Sequence, residues 1–300
     1  MGKKPLSLLL FVGLLLVGGW FLYSKRARVA RPTSPVATNW PASRPSSPVH
    51  SPRPAGTPPP PLPSAGESAG KREPPRAESG FVLRPGETLE YDANVTKLNS
   101  TVARLKITAV EKRAASGPGT WHLQALAHTE NPYRMVFELD DQFDSYSDAG
   151  SLTSLQYEMH LNERGQKVDI VQHLLPSSED PVPVGESGAR VLPGTRDPLG
   201  MLEYLRGVDW SRTPEVRSPV YDGRKLYDVR AALVEKSAVV SVPAGSFNAM
   251  KIEIRVFESG TEMKDAHFLL YLANHSTRLP VLMEAVLPVA TARVELTRAQ

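Results

Sequence analysis

The chain of 300 residues has no cysteine. That excludes a disulfide framework, thiolate-ligated zinc or iron–sulfur centres, and a thiol nucleophile. It also excludes a lipoprotein anchor, which needs an acylated Cys. A chain without thiols suits an oxidising compartment. A uniform charge is lacking too. The first 80 residues carry 11 Lys/Arg against 3 acids, a net of +8, and residues 81–300 carry 24 Lys/Arg against 29 Asp/Glu, a net of −5. An acidic folded part is a poor match for phosphate backbones, so no nucleic-acid partner is expected.

Catalytic and cofactor motifs are equally scarce. Ser68-Ala69-Gly70-Lys71 has the spacing of a serine–lysine nucleophile but lies in a proline-rich stretch with no scaffold around it. Gly66 to Gly70-Lys71 is one residue short of a phosphate-binding loop and follows no strand. Gly245-Ser246 sits at a hairpin signal, not at a strand-to-helix elbow. His122 and His128 share one face of a strand, but six residues of strand separate them by ~20 Å, too far for one metal. Glu138, Asp140, Asp141, Asp144 and Asp148 lack the ladder of a calcium loop and read as a solvated edge or loop. Asn94, Asn99 and Asn274 open glycosylation sequons, a three-residue pattern too short to carry weight alone. No catalytic residue, no cofactor and no metal ligand is expected.

Three segments are present instead. Within residues 1–30, Pro5 to Tyr23 is a run of 19 uncharged residues, long enough as a helix to span ~28 Å of bilayer. Trp20 and Tyr23 suit the interface at one end. The run closes on Trp20-Phe21-Leu22-Tyr23, without the small residues of a cleavage site. An uncleaved transmembrane helix is therefore expected. Lys25, Arg26, Arg28 and Arg31 follow it, so charge counting alone favours a cytoplasmic C-terminus. The segment after it argues the other way. Residues 31–80 hold 14 of the 28 prolines and bury too little apolar surface to fold. They read as a disordered, semi-extended linker holding a domain away from a membrane.

Residues 81–300 alternate apolar and polar side chains. Leu89, Tyr91, Ala93 and Val95 share one face, as do Ala103, Leu105, Ile107 and Ala109, and again Met250, Ile252, Ile254 and Val256. This is the pattern of antiparallel sheet with one wet face. Further strands are expected near residues 120–129, 151–161, 167–174, 225–236, 266–272 and 290–297. Asp222-Gly223 and Pro243-Ala244-Gly245 mark turns. One helix is expected after Asp197, a good N-cap, with Pro198 at its first position and Gly207 at its end. Leu199, Leu202 and Leu205 recur along it and should pack on the sheet. Residues 177–195 read as the long loop before it. The fold class is all-β: a curved antiparallel sheet or open barrel with one short packed helix.

Gly86-Glu87-Thr88-Leu89-Glu90-Tyr91, Asp197-Pro198-Leu199 through Tyr204-Leu205-Arg206, Tyr221-Asp222-Gly223-Arg224-Lys225-Leu226-Tyr227, Val242-Pro243-Ala244-Gly245-Ser246-Phe247 with Ala249-Met250-Lys251, and Leu279-Pro280-Val281 leading to Val294-Glu295-Leu296 occur in this order. In these the chain resembles domain-of-unknown-function family 3108 over about residues 83–296. The sequence departs from that family at Leu272-Ala273-Asn274-His275-Ser276, where a tryptophan and an aspartate often precede the Leu-Pro. The resemblance implies an exported bacterial envelope protein with a curved sheet or open barrel, and no assigned activity. The expectation is a single-pass inner-membrane protein with its domain in the periplasm. That domain is read as a non-catalytic binding or scaffolding module for an apolar or lipid-like ligand or another envelope protein, with Leu199, Leu202 and Leu205 lining the ligand cavity. An envelope hydrolase with an unrecognised site is the alternative. The oligomeric state is not readable from the sequence.

Overall fold

The computed structural model describes residues 83–96, 98, 100–113, 119–177, 188–264, 267–287 and 290–300. The expected transmembrane helix (5–23) and proline-rich linker (31–80) lie outside the described residues. Among those described, no helix is long and apolar enough to cross a membrane.

The strands are β1 (Thr88–Val95), β2 (Thr101–Arg113), β3 (Thr120–Thr129), β4 (Asp140–Asp148), β5 (Ser154–Glu163), β6 (Gln166–Pro176) and β7 (Gly188–Val191). The helix α1 (Pro198–Gly207) follows. Then come β8 (Glu215–Tyr221), β9 (Leu226–Val242), β10 (Gly245–Glu258), β11 (Thr261–Glu262), β12 (His267–Ala273), β13 (Pro280–Val286) and β14 (Thr291–Ala299). They form one 14-stranded sheet in the order β7-β6-β5-β4-β3-β2-β1-β14-β13-β12-β10-β9-β8, with β11 paired to β10. Every pairing is antiparallel except that of β6 with β7.

The two ends of this order, β7 and β8, are brought near each other by residues 195–197. Ser154 N–H donates to the Thr195 carbonyl at 3.0 Å, Arg196 N–H to the Pro219 carbonyl at 3.0 Å, and Tyr221 N–H to the Arg196 carbonyl at 2.8 Å. This single extended stretch therefore links the start of β5 to β8. The sheet is nearly closed and barrel-like, which leaves few unpaired edge groups. The Asp222–Lys225 turn between β8 and β9 is held by the Asp222 side chain, which accepts from the Arg224 and Lys225 amides at 2.8 and 2.7 Å. Gly223 takes φ +89° there, a conformation glycine adopts without steric cost.

The alternation seen in the sequence sorts side chains as expected. Leu89, Tyr91, Ala93, Leu105, Ile107, Leu123, Ala125 and Ile252 are buried, while Lys106, Arg104 and Glu90 face outward. The acidic stretch is a correction. It is neither edge nor loop but the strand β4, between β3 and β5, with Asp141 and Asp144 buried at 4% and 3% exposure. The stretch 177–195, expected as loop throughout, contains β7. The strands β8 and β13 carry Pro219 and Pro280; β8 alternates in burial up to Val220, whereas β13 is buried along most of its length.

Candidate functional site

The helix sets the geometry of the barrel interior. At ten residues it is too short to persist alone and depends on tertiary contacts. Nine of its ten residues are buried, so it is enclosed on all sides and does not merely lay one leucine stripe on a sheet. Its N-terminus is fixed by Asp197, which is fully buried. One carboxylate oxygen accepts from the Gly200 amide at 2.9 Å. The other accepts from the Ser145 and Ser154 hydroxyls, each at 2.5 Å. The Asp197 amide donates to Ser154 Oγ at 2.6 Å. Burial pushes the Asp197 carboxyl up, and these hydrogen bonds oppose that shift. An added Cβ on Gly200 would lie 3.1 Å from the Leu152 carbonyl and 3.1 Å from Ser147 Oγ. The first helical turn thus sits against β4 and β5 as closely as a glycine allows.

The polar side of the helix is buried as an ion network. Arg206, fully buried, donates to Glu203 at 2.7 Å and Glu87 at 2.5 Å, and to the Thr277 and Arg278 carbonyls at 3.0 and 3.2 Å. Burial raises the Glu203 carboxyl against the attraction of Arg206. Nearby, the Tyr91 hydroxyl donates to the Pro280 carbonyl at 3.0 Å. Three of the stretches behind the family resemblance thus meet: Glu87 and Tyr91 from the first, Arg206 from the second, Pro280 from the last. At the other end Arg196 lays its guanidinium over Tyr204, 3.7 Å from the ring centre, and donates to Ser218 Oγ at 2.9 Å and the Ser151 carbonyl at 2.8 Å.

The apolar side of the helix borders a cavity of about 30 Å³, where Met201, Leu202 and Leu205 face Val220, Ile254 and Phe268. A space of this size holds a water molecule or two. Leu202 and Leu205 therefore line it. Leu199 is buried, at 7% exposure, but faces elsewhere.

On the outer face of β3–β6 a second group of polar residues converges. Asp144 is the register partner of Gln124 on one side and Glu158 on the other. Its carboxylate is met by His122 Nε2 at 2.7 Å, Gln124 at 3.0 Å and Gln142 at 2.7 Å. His122 stacks on Tyr146, ring centres 4.6 Å apart. Asp144, Glu158 and His160 each offer one ligand atom within 4.8 Å of the others. Measuring His122 only along its own strand missed this grouping. The usable signal was the alternation itself, which puts His122, Asp144, Glu158 and His160 on one face of neighbouring strands.

The family model described as protein of unknown function, DUF3108, matches residues 90–297. The chain belongs to this family. The DUF3108 match runs from within β1 to within β14 and so takes in nearly the whole sheet. No curated protein matches the chain. Among solved structures it is similar to a beta-barrel-like protein of domain of unknown function DUF1849 from Brucella abortus, at 11% identity and a TM-score of 0.46, covering 73% of this chain and 98% of that one. A protein with a YmcC-like fold from Bacteroides fragilis, described as exported, is similar at 9% identity and a TM-score of 0.33 over 73% and 98% of the two chains. One from Parabacteroides distasonis, described as a lipoprotein, is similar at 10% identity and a TM-score of 0.37 over 74% and 98%.

Proposed function

We propose that the DUF3108 domain of this chain is a non-catalytic binding and scaffolding module of the cell envelope. It is tethered to the inner membrane by the apolar segment of residues 5–23 and held on the periplasmic side. The observation behind the scaffolding part is the filled interior. The helix α1 occupies it, and the cavity beside its apolar side measures about 30 Å³, against the several hundred cubic ångströms of a small-molecule pocket. Two of the buried ionisable groups are committed to holding the helix: Asp197 to serines and an amide, Arg206 to two carboxylates and two carbonyls. That argues against the hydrolase alternative for the interior. An apolar or lipid-like guest would enter only by displacing α1 from the Leu202 and Leu205 side. Partners of the scaffold therefore meet its outer surface. The periplasmic placement rests on the linker and on the family resemblance.

Native mass spectrometry of the full chain, released from detergent, tests the interior. The expected result is the bare chain. A stoichiometric lipid-mass adduct retained by Leu202→Met and lost in Leu202→Asp would overturn the reading and make the interior a carrier site. Placement is tested by alkaline phosphatase fused after Gln300, which is expected to be active; a fusion active only as a cytoplasmic reporter reverses the orientation.

A further inference from the structure

We propose that Asp144, Glu158 and His160 form a binding site for a divalent transition-metal ion of the zinc class on the outer face of β4 and β5. Their ligand atoms already lie within 4.8 Å of one another; bonds of ~2.0–2.2 Å to a common tetrahedral ion set them ~3.3–3.6 Å apart, so side-chain shifts of about 1 Å bring them onto one ion. Two carboxylates with an imidazole suit zinc and its neighbours better than calcium or magnesium, which take all-oxygen shells.

Two independent features point to a cation. The first is charge. Asp144 and Glu158 are directly opposite each other in register on adjacent antiparallel strands, and like charges so placed repel. The Asp144 side chain is only 5% exposed. Buried carboxylates are normally paired with a cation or bound to a metal. Yet among the described residues the ion pairs of these two acids are with His122 and His160 alone, at 2.7 and 3.2 Å, and involve no Lys or Arg. The contrast lies on the same protein: buried Glu203 and part-buried Glu87 are paired with Arg206.

The second feature is the support around each ligand. His160 turns Nδ1 toward Asp169 Oδ1 at 2.8 Å, which leaves Nε2 facing Glu158 at 3.2 Å. A carboxylate behind the distal ring nitrogen is the usual way a metal-bound histidine is oriented. Glu158 is held by Gln156 at 2.5 Å, and Asp144 by His122, Gln124 and Gln142. His122 is thus a positioning residue that acts through Asp144. The supporting amides are neutral donors, so they orient the carboxylates without cancelling their charge. The four strands supplying these groups are consecutive neighbours in the sheet, so the site is built on rigid elements.

The test is zinc chloride titrated into the full chain after chelator treatment and exchange into metal-free buffer, read by competition with a chromophoric chelator. The expected result is one equivalent bound with a dissociation constant in the micromolar range or below. Glu158→Gln and His160→Gln should each weaken this at least tenfold. The His160 side chain is 36% exposed, so its replacement leaves the core untouched. His267→Gln, which alters a surface histidine paired with Glu253 at 3.3 Å, should leave binding unchanged. Cobalt in place of zinc should give visible bands that disappear in His160→Gln. The proposal is overturned by no binding at 100-fold excess of zinc over a micromolar constant. It is equally overturned by binding that the Glu158 and His160 variants leave intact, which would assign the metal to other surface histidines.

Discussion

Asp141 and Asp197 are both buried carboxylates that burial pushes up, and they differ in how many donors oppose it. Asp197 has three donors and holds a helix end. Asp141, 4% exposed, has the Asn162 amide at 2.9 Å. Burial pushes its carboxyl up to about 7; that amide opposes the shift, and the neighbouring charges of Glu163 and Asp140 add to it. The folded state therefore keeps a proton that the unfolded chain releases near pH 4. Stability from this group is complete below pH ~4 and is lost as pH rises to about 7. Glu163, also raised by burial, adds to the same slope. Asp141→Asn keeps an oxygen for the Asn162 amide and removes the charge. It should stabilise the protein at pH 8 by about 2–4 kcal/mol and change little at pH 4. Urea unfolding at the two pH values checks this; an equal offset at both would show that the group does not titrate between them. Asp197 was legible in the sequence because a cap has a local signature. Asp141 was not, because its burial depends on β5 arriving alongside.

At the scale of elements, strands with one apolar and one polar face were legible: β1, β2, β3 and β10 alternate cleanly. The strand β4 was hidden because neither of its faces reads as apolar. Inward, Ser145 and Ser147 are spent on the helix cap region, Ser145 bonding Asp197 directly. Outward, Asp144 joins the histidine-containing cluster. Its strand character comes from ladders on both sides, which composition does not display. The helix was legible in position and length, but its enclosure was not. Glu203 and Arg206 look like a solvent face until Glu87, 119 residues from Arg206, closes the ion network. Gly200 tests how tightly the element is seated. Propensity alone says that alanine at a helical glycine stabilises by up to ~1 kcal/mol. Here the new methyl would press on a backbone carbonyl and on two serine hydroxyls at 3.1–3.2 Å. Ser154 is fixed by Asp197 and cannot yield freely. Overpacking of this kind costs ~1–3 kcal/mol, so Gly200→Ala should be net destabilising by about 1 kcal/mol in urea unfolding. A stabilised variant would mean the first turn can lift from β4 and β5.

At the scale of the whole molecule, closure of the sheet depends on one short stretch and on the side chain it carries. Residues 195–197 supply the hydrogen bonds that join β5 to β8, and no sequence periodicity marks them as part of a sheet. The Arg196 guanidinium ties that stretch to Ser218 on β8, to the Ser151 carbonyl before β5 and to Tyr204 on α1. Its Nε has no partner and burial lowers its affinity for a proton, so the charge is held at a cost that only simultaneous contact with all three elements offsets. Lysine keeps the charge but loses the fork and the planar stacking. Arg196→Lys should therefore destabilise by roughly 2–4 kcal/mol, the range for losing a hydrogen-bonded buried cation. The loss should be uneven. Pairing of β1 with β2 and β14, far along the strand order from the seam, needs nothing from Arg196. Hydrogen exchange of the full chain should show faster exchange in residues 188–221 and near-native protection in β1, β2 and β14. Uniform acceleration across all strands would instead mean that the barrel opens only as a single cooperative unit and that the seam is no weaker than the rest.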